Sequence, residues 1–169
     1  PRQGYTLASV SADCRLVLWQ VLNGSVSLSA QLQQPAWACA LTSDGQTIVV
    51  GGDKGVVEFI SSLDGRASNV LMTEYARLRS VALNAAGRQL AAAGRYAPMG
   101  LAAAGEIWVW DAQSLRRLAT MPHQWPICSL AFRPDGSMLL TGDSEGHVSL
   151  WSLSGRRAWS HLGDLPGTL

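Results

Sequence analysis

Short apolar runs rich in β-branched and aromatic residues recur along this chain, such as LVLW, TIVVGG, VEFI, IWVW and VSLW, each bounded by turn-forming residues. A period of two sends successive side chains to opposite faces of an extended strand, so these runs predict many short, half-buried strands. No stretch sustains a 3.6-residue apolar period, so the expected class is all-β. Three of the turns are copies of one another: TSDG at Thr42 to Gly45, NAAG at Asn84 to Gly87 and RPDG at Arg133 to Gly136. After each, the strand pattern closes on a bulky residue, Ile60, Trp110 and Trp151, and an earlier copy closes on Trp19, at spacings of 41, 50 and 41 residues. A period of that size means that one supersecondary unit was copied, each copy burying its apolar faces on its neighbours.

Superposing the units gives each position a task. Five residues before the closing position stand Cys14, Gly55, Gly105 and Gly146, at a tight turn where glycine permits positive φ. Leu16, Val57, Ile107 and Val148 form one column, and Leu18, Phe59, Val109 and Leu150 a second on the same strand face. The closing residues fall on the opposite face with Val17, Glu58, Trp108 and Ser149. The strands before the shared turn read AWACAL, LRSVAL and ICSLAF, with small residues at Ala38/Ala40, Ser80/Ala82 and Ser129/Ala131. Small side chains suit a strand crowded near the axis of a radial array, so these are read as innermost. Four antiparallel strands per unit follow.

The unit His123 to Trp151, HQWPICSLAFRPDGSMLLTGDSEGHVSLW, and the Trp110-Asp111 pair resemble the WD-repeat β-propellers. The resemblance extends over essentially the whole chain and implies four-stranded antiparallel blades. The blades are expected at 1–34 (strands b, c and d only), 35–76, 77–121 with an insertion near 95–104, and 122–169. It also implies a buried polar tetrad, whose matching positions are His123, Thr141, Glu145 and Trp151, with Ser9, Asp13 and Trp19 as a partial copy. Read as a catalytic triad, His123, Thr141 and Glu145 lack an oxyanion hole or an activated nucleophile; mutual satisfaction of buried polar groups explains them better. The middle units depart from the tetrad, with Val50, Lys54 and Ile60 in one and no histidine in either, so apolar packing should replace it.

Three and three-quarter units create a difficulty of closure. Rings of this family are commonly seven-bladed and would need about 280 residues at roughly 40 per blade. The sequence opens on Pro1, and the first unit lacks its innermost strand. Part of a larger propeller is the favoured expectation, followed by a split propeller completed by another chain or a second copy, and last by a closed four-bladed ring.

Composition narrows the functional classes. With 13 basic and 12 acidic residues the net charge is +1, and the arginines are scattered, so no phosphate-backbone footprint is expected. The odd cysteine count and the spacing of Cys14, Cys39 and Cys128 favour buried free thiols over disulfides or zinc, and hence a cytoplasmic or other reducing compartment. No apolar run reaches the ~18 residues of a membrane helix. His147 and His161 are read as exposed or edge residues, and Asp44, Asp64 and Asp135 as turn residues. Nothing matches a phosphate loop, nucleophile elbow or metal motif, so no catalysis, cofactor or small-molecule substrate is expected.

The remaining reading is a non-catalytic scaffold that binds other proteins through one face; the alternative is the propeller of a larger enzyme or signalling chain. The 50-residue spacing places about nine extra residues within GRYAPMGLAAAG. In this family that loop would lie on the face of the interblade connections, where Tyr96, Met99 and Leu101 are candidate partner contacts. Trp37, Tyr75, Arg77, Arg79 and Trp125, in or beside connections into inner strands, complete the candidate set, because Trp and Arg dominate many interfaces.

Overall fold

The copied turn folds the same way each time. Gly45, Gly87 and Gly136 donate their backbone N–H to the carbonyls of Thr42, Asn84 and Arg133, each at 2.8 Å, and adopt φ of 69°, 66° and 74°. Glycine at this left-handed position lets the chain reverse without a Cβ clash. Side chains finish the turn: Asp44 accepts from Thr42 Oγ1 and Gln46 N, and Asp135 from Ser137 N and Oγ. These hydrogen bonds hold both carboxyls below the usual carboxylate range.

The computed structural model describes residues 6–74, 77–96, 104–153 and 157–159, the side chains of residues 95, 96, 104 and 157–159 aside. Among the described residues there are fifteen strands and no helix. They form four antiparallel sheets in chain order. The first holds β1 (Thr6–Val10), β2 (Arg15–Gln20) and β3 (Ser25–Gln31). The second holds β4 (Ala36–Leu41), β5 (Thr47–Gly52), β6 (Val56–Ser61) and β7 (Ala67–Met72). The third holds β8 (Arg77–Leu83), β9 (Gln89–Tyr96), β10 (Ala104–Asp111) and β11 (Arg117–His123). The fourth holds β12 (Ile127–Phe132), β13 (Met138–Asp143), β14 (Val148–Ser152) and β15 (Arg157–Trp159). This is the all-β, propeller-type arrangement of four-stranded blades, and the blades present do not close a ring.

Three apolar cores lie between successive sheets. Leu16 and Leu18 of the first sheet meet Ile48, Val50 and Ile60 of the second. Val49, Val57 and Phe59 on its other face meet Leu90, Ala92, Trp108 and Trp110 of the third. Ala91, Ala93, Ile107 and Val109 then meet Ile127, Leu139 and Trp151 of the fourth. Each blade thus gives its penultimate-residue column to the closing-residue face of the next. The same rule leaves two flanks bare: Leu7 and Val26 beside Trp19 are 58% and 52% exposed, and Leu140 opposite Leu150 is 40% exposed. The strand β8 lies against β4 on one side and β12 on the other, and Leu130 N donates to the Ser80 hydroxyl at 3.0 Å across the gap.

Two details depart from the sequence reading. Cys14, Gly55 and Gly146 take positive φ (66°, 70° and 86°), but Gly105 does not. Its reason is proximity: a Cβ there would stand 1.9 Å from the Trp125 carbonyl oxygen. Equally, Leu115 (φ 56°) takes the left-handed position that Gly24 and Gly65 fill in the first two sheets. Glu58, which alternation puts on a strand face, is buried at 5% exposure between the first two sheets, beside Gln34. Burial pushes its carboxyl up, and the hydrogen bond from Gln34 opposes this.

Two outcomes follow from this packing. A Cβ on Gly94 would meet the Arg77 carbonyl at 2.0 Å, whereas nothing lies within 4 Å of one on Gly24. Gly94→Ala should therefore cost about 2–4 kcal/mol in denaturant unfolding, and Gly24→Ala only the ~1–2 kcal/mol of left-handed backbone. Because the folded-state pKa of Glu58 is raised, its contribution to stability is fully present below the ordinary carboxylate pKa and is lost as pH rises through the folded value. Glu58→Gln should remove that decline, so that its unfolding free energy, relative to the parent, grows between pH 4 and pH 7.

Candidate functional site

The inner strands carry a repeated irregularity. Ala36 pairs with Gly52 and Ala38 with Gly51, so Trp37 is squeezed out of the ladder. In the same way Leu78 and Ser80 bracket Arg79, and Ile127 and Ser129 bracket Cys128. A β-bulge of this kind breaks the two-residue alternation and re-aims one side chain. Of the residues on either side of it, Ala36, Leu78, Ser80 and Ile127 are buried, while Trp37, Arg79 and Cys128 are all exposed. Together with Arg77 they line a cleft of about 200 Å3.

Asp53 organises one wall of this cleft. Its Oδ1 accepts from Trp37 Nε1 and from Arg77 Nε, both at 2.8 Å, and the Arg77 guanidinium lies 4.5 Å from the centre of the Trp37 ring. The backbone of Asp53 also bridges to Arg77, so a turn of the second sheet is tied to the first residue of the third. Trp37 is 42% exposed although its N–H is engaged; it offers a ring face. Arg79 has no acidic partner among the described residues. Trp125 lies in the connection before β12 at 36% exposure, outside the cleft lining. Tyr75, Met99 and Leu101 and the side chain of Tyr96 lie outside the described residues.

The expected tetrad assembles only in part. Trp151 Nε1 donates to Thr141 Oγ1 at 3.1 Å, and that hydroxyl is 3.4 Å from the Ser149 carbonyl; Trp19 Nε1 likewise donates to Ser9 Oγ at 2.9 Å. The acid, however, is Asp143 and not Glu145, which is exposed. The carboxylate of Asp143 is buried to 1% exposure, accepts from Glu145 N and His147 N at 2.9 Å each and from His147 Nδ1 at 3.1 Å, and stands 3.8 Å from His123 Nδ1. His147 is correspondingly half-buried instead of a free edge residue. With Glu145 in solvent, the His123, Thr141 and Glu145 triad does not form. In the first sheet Asp13 is exposed, accepts from Ser11 Oγ and Arg15 N, and is not joined to Ser9. Cys14 and Cys39 are half-buried, and burial raises the Cys39 thiol; the expectation of a buried thiol fails at Cys128, which the bulge turns outward.

Residues 115–152, from β11 through β14, match the family model described as WD domain, G-beta repeat. Those residues are a WD repeat, and the WD-repeat resemblance read along the chain holds. It is 27% identical to Telomerase protein component 1 of Mus musculus over 161 residues, covering 95% of this chain and 6% of that protein. Similarity to Transducin beta-like protein 3 of Homo sapiens is 31% over 62 residues, 37% of this chain and 8% of that one. DNA damage-binding protein 2 of Mus musculus is 27% identical over 124 residues, 70% of this chain and 27% of its own length. The chain thus spans well under a third of each of these relatives.

For this WD-repeat chain the position of the acid is directly testable. Asp143→Ala removes the acceptor for two part-buried N–H groups and an imidazole, and should cost about 2–4 kcal/mol in equilibrium unfolding. Glu145→Ala should change stability by less than about 0.5 kcal/mol.

Proposed function

We propose that these blades form a non-catalytic scaffold that binds other proteins through the face where the inner-strand bulges emerge. The observation that carries this reading is the convergence of Trp37, Arg79 and Cys128 from three successive blades on one cleft. A repeat that keeps its core columns alike while differing at one outward position has freedom to specify a partner there. Exposed Trp and Arg are the side chains that most often dominate binding energy. Tyr75, Tyr96, Met99, Leu101 and Trp125 belong to the proposed surface on the grounds of their place in the repeat. WD repeats as a class mediate protein–protein contact, and one similar protein is named as a component of telomerase.

A second reading is that the blades are the propeller of a larger enzyme or signalling protein, or half of a propeller completed by another chain. The bare flanks around Leu7 and Leu140 support it, since each matches a face that is buried elsewhere in the fold. The name of DNA damage-binding protein 2 raises nucleic acid as a ligand. A net charge of +1, and a cleft whose two described arginines include one, Arg77, already paired with Asp53, weigh for a protein partner.

Affinity capture with the intact protein and with its Trp37→Ala/Arg79→Glu form tests the scaffold reading. Recovery of co-purifying proteins should fall tenfold or more in the double variant, with the thermal midpoint of unfolding within a few degrees of the parent. Unchanged recovery would remove this face from the interaction.

A further inference from the structure

We infer that the cleft between the bulges takes an acidic peptide segment of a partner protein, a carboxylate side chain reaching Arg79 while an adjoining apolar side chain lies on the Trp37 ring. This rests on the scaffold reading above and adds the chemistry of the occupant. The argument is one of which groups are already committed. Arg77 is already partly committed: its Nε donates to Asp53 at 2.8 Å and its guanidinium is laid over Trp37, so the carboxylate balances its charge at this wall of the cleft. The indole N–H of Trp37 is spent on the same carboxylate oxygen, which leaves only its apolar ring to offer. Cys128 contributes a small thiol whose contact is with the Pro126 carbonyl of its own strand entry, at 3.9 Å.

Arg79 is what remains. It is exposed, two residues from an arginine that is neutralised, and has no acidic partner among the described residues. A guanidinium offers a planar fork that matches a carboxylate, and such pairs are the stronger charged hydrogen bonds. Among the described lining residues the cleft is therefore one cation without an acidic partner, Arg79, next to one apolar plane, Trp37. Its volume, about 200 Å3, is below the roughly 300–1,000 Å3 of pockets that enclose small molecules, and suits one or two anchoring side chains.

Selection of a random dodecapeptide display library on the intact protein tests this. The enriched peptides should carry Asp or Glu next to Leu, Ile, Phe or Met. Their affinity should fall tenfold or more against Arg79→Glu and less against Arg79→Lys, with unfolding curves of both variants matching the parent. Enriched peptides without an acidic residue, acidic ones indifferent to Arg79→Glu, or no enrichment at all would overturn the inference. Displacement of the enriched peptides by a twelve-nucleotide single strand, with tighter binding of that strand, would overturn it in favour of a phosphate ligand. Neutral peptides that bind but are lost with Trp37→Ala would sink the acidic chemistry and leave the scaffold reading standing; partner capture insensitive to every cleft substitution would sink both.

Discussion

A sheet with two apolar faces cannot be stable alone in water, and this governs everything else in the molecule. Each described blade alternates side chains between two faces, and in the second and third blades both faces are buried: Val57 and Phe59 against one neighbour, Ile48 and Ile60 against the other. Burial of such a side chain is worth about 1.5–3 kcal/mol, and a strand pays conformational entropy for every residue it orders. The balance becomes favourable only where faces meet. Blade-to-blade contact, more than any hydrogen bond within a blade, is therefore the interaction on which the fold depends. The rule is directional, since the column one residue before the closing position always meets the closing face of the next blade, and this accounts for which flank of the outer sheets is bare.

The same constraint creates the cleft. Inner strands approach one another, and at one of their ladder positions Ser80 accepts from Leu130 N of the next blade, with Ala38 and Ser129 the matching small residues. A bulge takes one residue out of that alternation and frees its size and charge from the packing rule. Hence tryptophan, arginine and cysteine occupy one structural position without disturbing the columns. Close packing also dictates the glycines that lack special dihedrals: Gly94 and Gly105 lie where neighbouring carbonyls would touch a Cβ, at 2.0 and 1.9 Å.

What the sequence reveals is what repeats. The turns, closing residues, inward columns and innermost strands are legible because four imperfect copies vote on each position. Features that differ between copies are the ones it hides. Leu115 and Cys14 adopt left-handed backbone that a reader assigns to glycine, because the surrounding turn is over-determined by its hydrogen bonds, such as Leu115 N to the Asp111 carbonyl at 2.9 Å. Asp143 replaces Glu145 as the buried acid because a short side chain at the end of β13 reaches the backbone of the following turn, whereas two residues later the side chain points to solvent. Glu58 shares a strand face with Ile60, and the neighbouring blade buries both. The bulges leave a trace only in retrospect, as the second position of AWACAL, LRSVAL and ICSLAF, where residue type changes most.

Arg77 and Arg79 show why that position matters more than residue type. Alternation alone would put both on one side of β8 with equal claims to a partner. The bulge separates them: Arg77, at the first ladder position, turns back onto the second blade and joins Asp53 and Trp37, while Arg79 is lifted out toward the cleft. The exposed ion pair itself contributes roughly 1 kcal/mol or less. Its larger effect is to balance one positive charge and engage one indole N–H at the cleft wall, so that among the described lining residues Arg79 is the cation without an acidic partner. Under the proposed acidic-peptide reading, selectivity at the cleft is set by groups that the fold has already satisfied, so a count of arginines in the sequence overstates the charge on offer there.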